Sequence, residues 1–384
     1  MLFETRHLAL SALLLPLAAC GGGESASSAA IVTLTPQSSA VPTATPTPVS
    51  TPVFVEPTTT ASSTAELQKL LEAARGGEII YLTPGRYDPV SFQGLRFDVP
   101  ITLTSADASM RAELTGANLR DCKGIRITNV RLVDHSPETL YEFLVQDAED
   151  IAFDNIVISS IEGATAYQSG PLMIRSSKNV TVIRSEITNV RYGISLLHNQ
   201  GITITSNYFH DIRTDGVRGG GNSSVKIKDN LFTNFSPSGG DHPDAIQFWT
   251  TNTTTSVSDI TITDNVIVRG EGAPVQGIFM RDESSTLPYQ SVTIEGNVAI
   301  GTMYHGISVG NASGLIVSGN RVTGMADQKS WISVPAGATL SSNYAQVFII
   351  AGTNSPDLSG NFVIPASTDN GSARSLEWLA NHSR

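Results

Sequence analysis

Ile202-Thr-Ile-Thr-Ser-Asn207, Val225-Lys-Ile-Lys-Asp-Asn230, Ile260-Thr-Ile-Thr-Asp-Asn265, Val292-Thr-Ile-Glu-Gly-Asn297 and Leu315-Ile-Val-Ser-Gly-Asn320 are versions of one unit. Apolar residues alternate with outward ones, which is the period of a strand, and each unit ends on Asn. The asparagines at 207, 230, 265, 297, 320 and 343 stand 23, 35, 32, 23 and 23 residues apart. Short strands recurring near a 23-residue period mark a β-solenoid. An Asn at the same turn of every coil is expected to stack into a ladder. Stacked at about 4.8 Å per coil, ten to eleven coils would form a rod about 50 Å long.

Working outward, residues 122–365 read as the solenoid, with long loops at 236–258 and 282–291. Residues 63–121 read as an N-terminal cap with the first coils. Ser63-Thr-Ala-Glu66 is a capping box for a short helix carrying the stripe Leu67, Leu70, Leu71 and Ala74, stopped by Gly76-Gly77. Residues 366–384, with Trp378 and Leu379, are expected to cap the far end. Residues 20–62 are rich in Thr, Pro and Ser and read as an extended tether. Residues 1–19, with Arg6-His7 before an apolar run from Leu8 to Leu15, read as a signal peptide too short to span a bilayer. The segment ends Leu17-Ala18-Ala19-Cys20 and resembles a bacterial lipobox. That resemblance implies cleavage before Cys20, diacylation of its sulfur and, with Gly21 following, an outer-membrane location. Cys122 is then the second of two cysteines and has no partner for an intrachain disulfide.

The 384-residue chain carries a net charge of −11, which argues against nucleic acid as a partner but not against an anionic ligand met by a local Arg cluster. A monomer is expected. The repeat resembles the right-handed parallel β-helix superfamily, the pectate-lyase-like fold, over roughly residues 64–365. The resemblance implies an all-β right-handed solenoid, and for most such proteins with activity, a polysaccharide substrate. The N-terminal stretch, including Gly77-Glu-Ile-Ile-Tyr-Leu-Thr-Pro-Gly-Arg-Tyr87, is similar to polysaccharide lyases of the chondroitinase B and alginate lyase type.

A second strand in each coil aligns on Ile194, Val217, Ile246, Ile278, Ile307 and Ile332, which are expected to face inward. Two residues before these stand Tyr192, Asp215, Asp244, Gln276, His305 and Ser330. Residues one and three after the inward position should face out. That places Arg218 beside Gln247, and Trp249 beside Arg281, one strand apart. Tyr192-Gly-Ile is similar to the strand column of alginate C5-epimerases, although no Asp-Pro-His follows. His242-Pro-Asp-Ala-Ile-Gln247 resembles a His-x-Asp-Gly-Ile-Gln string of secreted β-helix proteins, with Ala245 for Gly. Thr214-Asp-Gly216 and His305-Gly-Ile-Ser308 resemble strings of polygalacturonases, without that family's adjacent aspartate pair.

The period breaks around Asp244, where loops have grown on both sides of one column, as cleft walls do. Candidate catalytic residues are His242, Asp244, Arg218, Arg281, His305 and Asp215. Candidate substrate-binding residues are Gln247, Trp249, Tyr192, Gln276 and Tyr304. Arg and Gln suit a uronate carboxylate, Trp a sugar face, and His the removal of a C5 proton. Singly, each has a plainer reading: Asp215 and Asp244 as turn caps, Trp249 as a residue buried under its loop. The expected function is an exported lipoprotein enzyme acting on an acidic polysaccharide by β-elimination or C5-epimerisation. The alternatives are a glycoside hydrolase using two of Asp215, Asp241 and Asp244, or a non-catalytic glycan-binding surface protein. No cofactor is demanded; calcium near Asp282 and Glu283 is compatible with the residues but has no ligand spacing behind it.

Overall fold

A computed structural model describes residues 58–136, 140–161, 168–354 and 357–382. The stretches read from the sequence as signal peptide and tether, Cys20 included, lie outside these except for residues 58–62. Each coil lays down three short strands, one in each of three parallel sheets of twelve, twelve and eleven strands. The first sheet contains the repeated Ile-Thr-Ile units, the second follows the Asn turn, and the third contains the column aligned on Ile194 to Ile332. The result is an all-β parallel solenoid of about eleven turns with a short N-terminal helix, as expected.

The alternation fixes the core. Ile202 and Ile204, Val225 and Ile227, and Ile260 and Ile262 are buried in register on the first sheet. Ile194, Val217, Ile246, Ile278, Ile307 and Ile332 are buried on the third. At the corner between the first and second sheets, Asn207, Asn230, Asn265, Asn297, Asn320, Asn343 and Asn361 form the expected ladder. Asn207 Oδ1 accepts the Ser185 N–H at 2.9 Å, and each later Oδ1 accepts the backbone N–H and the side-chain amide of the preceding asparagine; Asn230 Oδ1 does so from Asn207 at 2.9 Å each. The left-handed residue is the one before each Asn: Ser206, Asp229, Asp264, Gly296, Gly319 and Ser342 all have φ between 53° and 67°. A shorter ladder, Ser177–Asn199–Asn222, turns the third sheet into the first.

Both ends differ from expectation. Among the described residues the first regular element is Thr58–Ala61, which pairs with Ile79–Leu82 as an edge strand inside the stretch read as tether. Helix α1, Thr64–Ala73, buries Leu67 and Leu71; Ser63 caps the Glu66 amide, while Glu66 reaches back to Ser62 rather than to Ser63. Helix α2, Ser372–Asn381, does not cap the far end. It lies across the second sheet, where Trp378 packs on Leu231, Val268 and Ile300. Those outward apolar side chains form a surface that an amphipathic helix covers.

Candidate functional site

The expected register holds. Arg218 lies beside Gln247, and Trp249 beside Arg281, on the third sheet. The strand Asp244–Trp249 is preceded by the loop 234–243 and followed by the loop 250–257. Both loops are fixed. Arg213, which the sequence reading missed although it stands two residues before Asp215, grips Asp241 through Nε at 2.8 Å and Nη2 at 3.1 Å. These bonds hold the Asp241 carboxyl below its ordinary range and fix the residue next to His242. Behind the strand, Thr250 donates through its hydroxyl to Asp282 at 2.7 Å and through its amide to Glu283 at 3.0 Å. Asp282 also accepts from Ser284, Leu287 N–H and Asn311. Asp282 and Glu283 therefore tie two loops together. Among the described residues no cluster of His, Cys, Asp and Glu has the makings of a metal site.

Asp215 and Asp244, read from the sequence as candidate catalytic residues, are not open to solvent. They are buried, at 3% and 0% exposure, one above the other where the second sheet turns into the third. Asp244 shares the inward side of its strand with Ile246 and Phe248, and Asp215 stands two residues before the buried Val217, so the two-residue period itself turns both inward. Asp215 Oδ1 accepts the Asp244 N–H at 3.2 Å, and its Oδ2 lies 3.1 Å from Arg218 Nη1. Asp244 Oδ2 accepts from His242 Nδ1 at 2.9 Å and from Gln247 Nε2 at 2.8 Å. Asp244 Oδ1 is buried without a partner. Burial raises Asp215 to about 7, against Arg218, and Asp244 to about 6, against its bond with His242.

His242 stands half-exposed in front of this pair. Its Nε2 lies 2.7 Å from Gln276 Nε2. Gln276, expected to bind substrate, is itself buried and holds His242, and its Oε1 has no partner. With Nδ1–H given to Asp244, neutral His242 accepts the Gln276 amide at Nε2. A turned amide would offer Oε1 to a protonated Nε2, so Gln276 can serve both charge states. The bond to Asp244 raises the His242 pKa, outweighing burial. His305, two coils on, is lowered by burial, then by the charges of His242 and Arg281. Its Nδ1 accepts from Trp331 Nε1 at 3.2 Å, which leaves Nε2 to carry the proton of the neutral ring. The register shift between His305 and Ile307 sets Trp331 beside His305. The sequence gives no signal for that bulge.

Phe279 separates the two imidazoles, 5.5 Å from His242 and 4.8 Å from His305 between ring centres. The Arg218 guanidinium lies 4.1 Å from the Tyr192 ring centre and 4.9 Å from that of Trp249. A Cβ at Gly220 would stand 2.8 Å from Trp249 Nε1, so glycine there lets the indole fold back over its coil. Arg281 is exposed and lines, with Phe279, Met280, His305, Ser308 and Gly310, a shallow cavity of about 220 Å³. Tyr304 is exposed, 5.5 Å from Trp331. The structure thus gathers Tyr192, Arg218 and Trp249 into one group; Asp244, His242, Gln247 and Gln276 into a second; and Arg281, His305 and Tyr304 near a third. All lie along one face.

No curated protein sequence matches this chain. Among solved structures, PfbA, a surface adhesin of Streptococcus pneumoniae, is 14% identical, with 75% of this chain and 87% of that chain covered and a TM-score of 0.52. An alginate lyase from Paenibacillus sp. is 13% identical, with 81% and 99% covered and a TM-score of 0.44. A periplasmic alginate epimerase is 11% identical, with 78% and 74% covered and a TM-score of 0.46. Likeness at these identities concerns the fold and leaves function to the site. The family described as "right handed beta helix region" matches residues 109–255 and 172–361, which span most of the solenoid. The chain belongs to the right-handed β-helix family.

Proposed function

We propose that this protein cleaves a uronate-containing polysaccharide by β-elimination, with His242 as the base. The observation that carries the reading is the chain Asp244–His242–Gln276: a buried carboxylate orients an accessible imidazole, and both of its buried neighbours keep one unpartnered oxygen. Substrate would displace the Gln276 donor from Nε2. Nε2 then takes the C5 proton while the electron pair moves into the uronate carboxylate, whose growing charge the exposed Arg281 guanidinium meets. The electrons return to form C4=C5 as the C4–O4 bond breaks, and His242 gives its proton to the departing oxygen. Asp244 stabilises the intervening imidazolium. His305, kept neutral, donates a hydrogen bond through Nε2–H without competing for the proton.

C5-epimerisation is the second reading, favoured by that same Nε2–H, a donor on the far side of Phe279 from His242. There His242 keeps the proton it took, His305 gives its own Nε2 proton to the opposite face of C5, solvent then takes a proton from His242 and returns one to His305, and no C–O bond breaks. Paired-carboxylate hydrolysis is disfavoured by burial: Asp215 and Asp244 are closed off from solvent, and Asp241 is held by Arg213. Incubation with polygalacturonate and alginate decides between these. Elimination yields ultraviolet-absorbing unsaturated ends, epimerisation yields solvent hydrogen at C5 with chain length unchanged, and neither product refutes the proposal.

We also propose that Cys20 carries a lipid anchor, on the strength of Leu17-Ala-Ala-Cys20 after a short apolar run. Cys20→Ala should move the protein from the membrane to the soluble fraction; an unchanged membrane fraction with normal export would reject the anchor.

A further inference from the structure

The two outward rows of the third sheet differ in charge from the rest of the molecule. One row runs Asn118, Leu144, Met173, Ser195, Arg218, Gln247, Phe279 and Ser308. The other runs Arg120, Gln146, Arg175, Leu197, Gly220, Trp249 and Arg281. Neither contains Asp or Glu, in a chain of net charge −11. The arginines come at every second coil: Arg120, Arg175, Arg218, Arg281. Two coils rise about 9.6 Å. Arg120 and Arg175 are exposed, and among the described residues their side chains have no ion pair or hydrogen bond. Of the acids next in sequence, Asp121 meets Arg96 of the first sheet at 3.1 Å and Asp147 accepts from Gln146 at 2.9 Å, while Glu142 shares the cavity at Arg120. Around Arg120 lies a cavity of about 400 Å³, lined among others by Ser91, Asn118, Tyr141, Glu142 and Leu144. Asn118 Oδ1 is buried there without a partner.

We propose that this face is a polyanion track on which Arg120 and Arg175 hold carboxylates of an extended 1,4-linked polyuronate several units away from the reaction centre. The proposal rests on the function above for the class of ligand. Successive units of an extended 1,4-linked pyranose chain turn over, so carboxylates on one side recur at every second unit, close to the rise of two coils. A guanidinium binds a carboxylate through paired N–H donors, and an unpaired one has no internal bond to give up first. The cavity at Arg120 takes a terminal unit, with Asn118 and Ser91 available to sugar hydroxyls. The ligand is therefore read over six coils or more, and short oligomers occupy only the Arg218–Arg281 part.

Affinity electrophoresis through polygalacturonate, with neutral dextran as the control matrix, tests this. The pair Arg120→Gln and Arg175→Gln should weaken retardation by about tenfold or more, equivalent to about 1.4 kcal/mol. The pair Arg126→Gln and Arg131→Gln removes the same charge from exposed sites on the first and second sheets and should change it by less than about twofold. Equal weakening by both pairs, no weakening by the first, or no retardation of the wild type would overturn the track. Binding that depends on Arg120 and Arg175 but gives no unsaturated or epimerised product would keep the track and refute the reaction. Turnover of long chains that ignores both arginines would do the reverse.

Discussion

Buried polar side chains stack at every corner of this solenoid, and two of the stacks are built differently. Between the first and second sheets, seven asparagines pass hydrogen bonds down the rod; Asn265 gives its amide to Ile227 O and Asn297 Oδ1, and its own Oδ1 takes two bonds from Asn230. Between the second and third sheets, Asp215, Asp244 and Gln276 occupy equivalent buried positions, yet Asp244 Oδ1 and Gln276 Oε1 have no partner, and both carboxyls are pushed up by burial. A corner that only has to stack can satisfy every atom by repeating one residue. The second corner gives up that economy, and an accessible histidine stands in front of it. Unsatisfied buried groups are costly and occur at other places in the described residues too, but here two stand on neighbouring coils against an accessible histidine, and that combination points to chemistry rather than architecture.

Asn265→Ala breaks the satisfied corner. It removes the acceptor of the Asn230 backbone N–H, one of the two acceptors of the Asn230 amide and a donor to Ile227 O, so unfolding free energy should fall by about 2 kcal/mol or more, while specific activity of the folded fraction holds. A loss under about 1 kcal/mol in denaturant titration would show the ladder to be incidental.

Asp215→Asn probes the other corner, with a smaller effect that depends on pH. The folded carboxyl holds its proton more tightly than the unfolded one, being raised from 3.8 to about 7 by burial. Its contribution is therefore complete below pH 3.8, is lost as pH rises towards 7 and stays lost above. Relative to wild type, Asp215→Asn should gain stability across that window, by about 1 kcal/mol or more at pH 8. Parallel stability curves from pH 4 to pH 8 would mean that Asp215 is not raised.

The fold and the register of the third sheet were legible because two-residue alternation and the spacing of Asn need no knowledge of the partner coil. The same rule put Arg218 beside Gln247 and Trp249 beside Arg281. It applies equally to Asp244 and Gln276, which stand two residues before the inward Ile246 and Ile278 and so face the core, but their polar side chains were read as belonging to the surface. It could not see Trp331, brought to His305 by a bulge, or Arg213, whose partner Asp241 sits in an inserted loop. Helix α2 was misplaced for a related reason: the surface it covers is formed by Leu231, Val268 and Ile300 of three successive coils, all distant from the helix in sequence.

The most direct measurement is the turnover of polygalacturonate and alginate by His242→Ala, followed by absorbance of the unsaturated product and by C5 hydrogen exchange, beside its melting curve. The account predicts a fall of about 10² to 10⁴ in turnover with a stability change near 1 kcal/mol, since the ring is half-exposed and Asp244 can take up a proton once it is gone. In the wild type, His242 must lose its proton to act, and its raised pKa puts the acid limb of the rate profile above pH 6.5. Full turnover by His242→Ala with a collapsed melting transition would contradict the account and make His242 part of the scaffold.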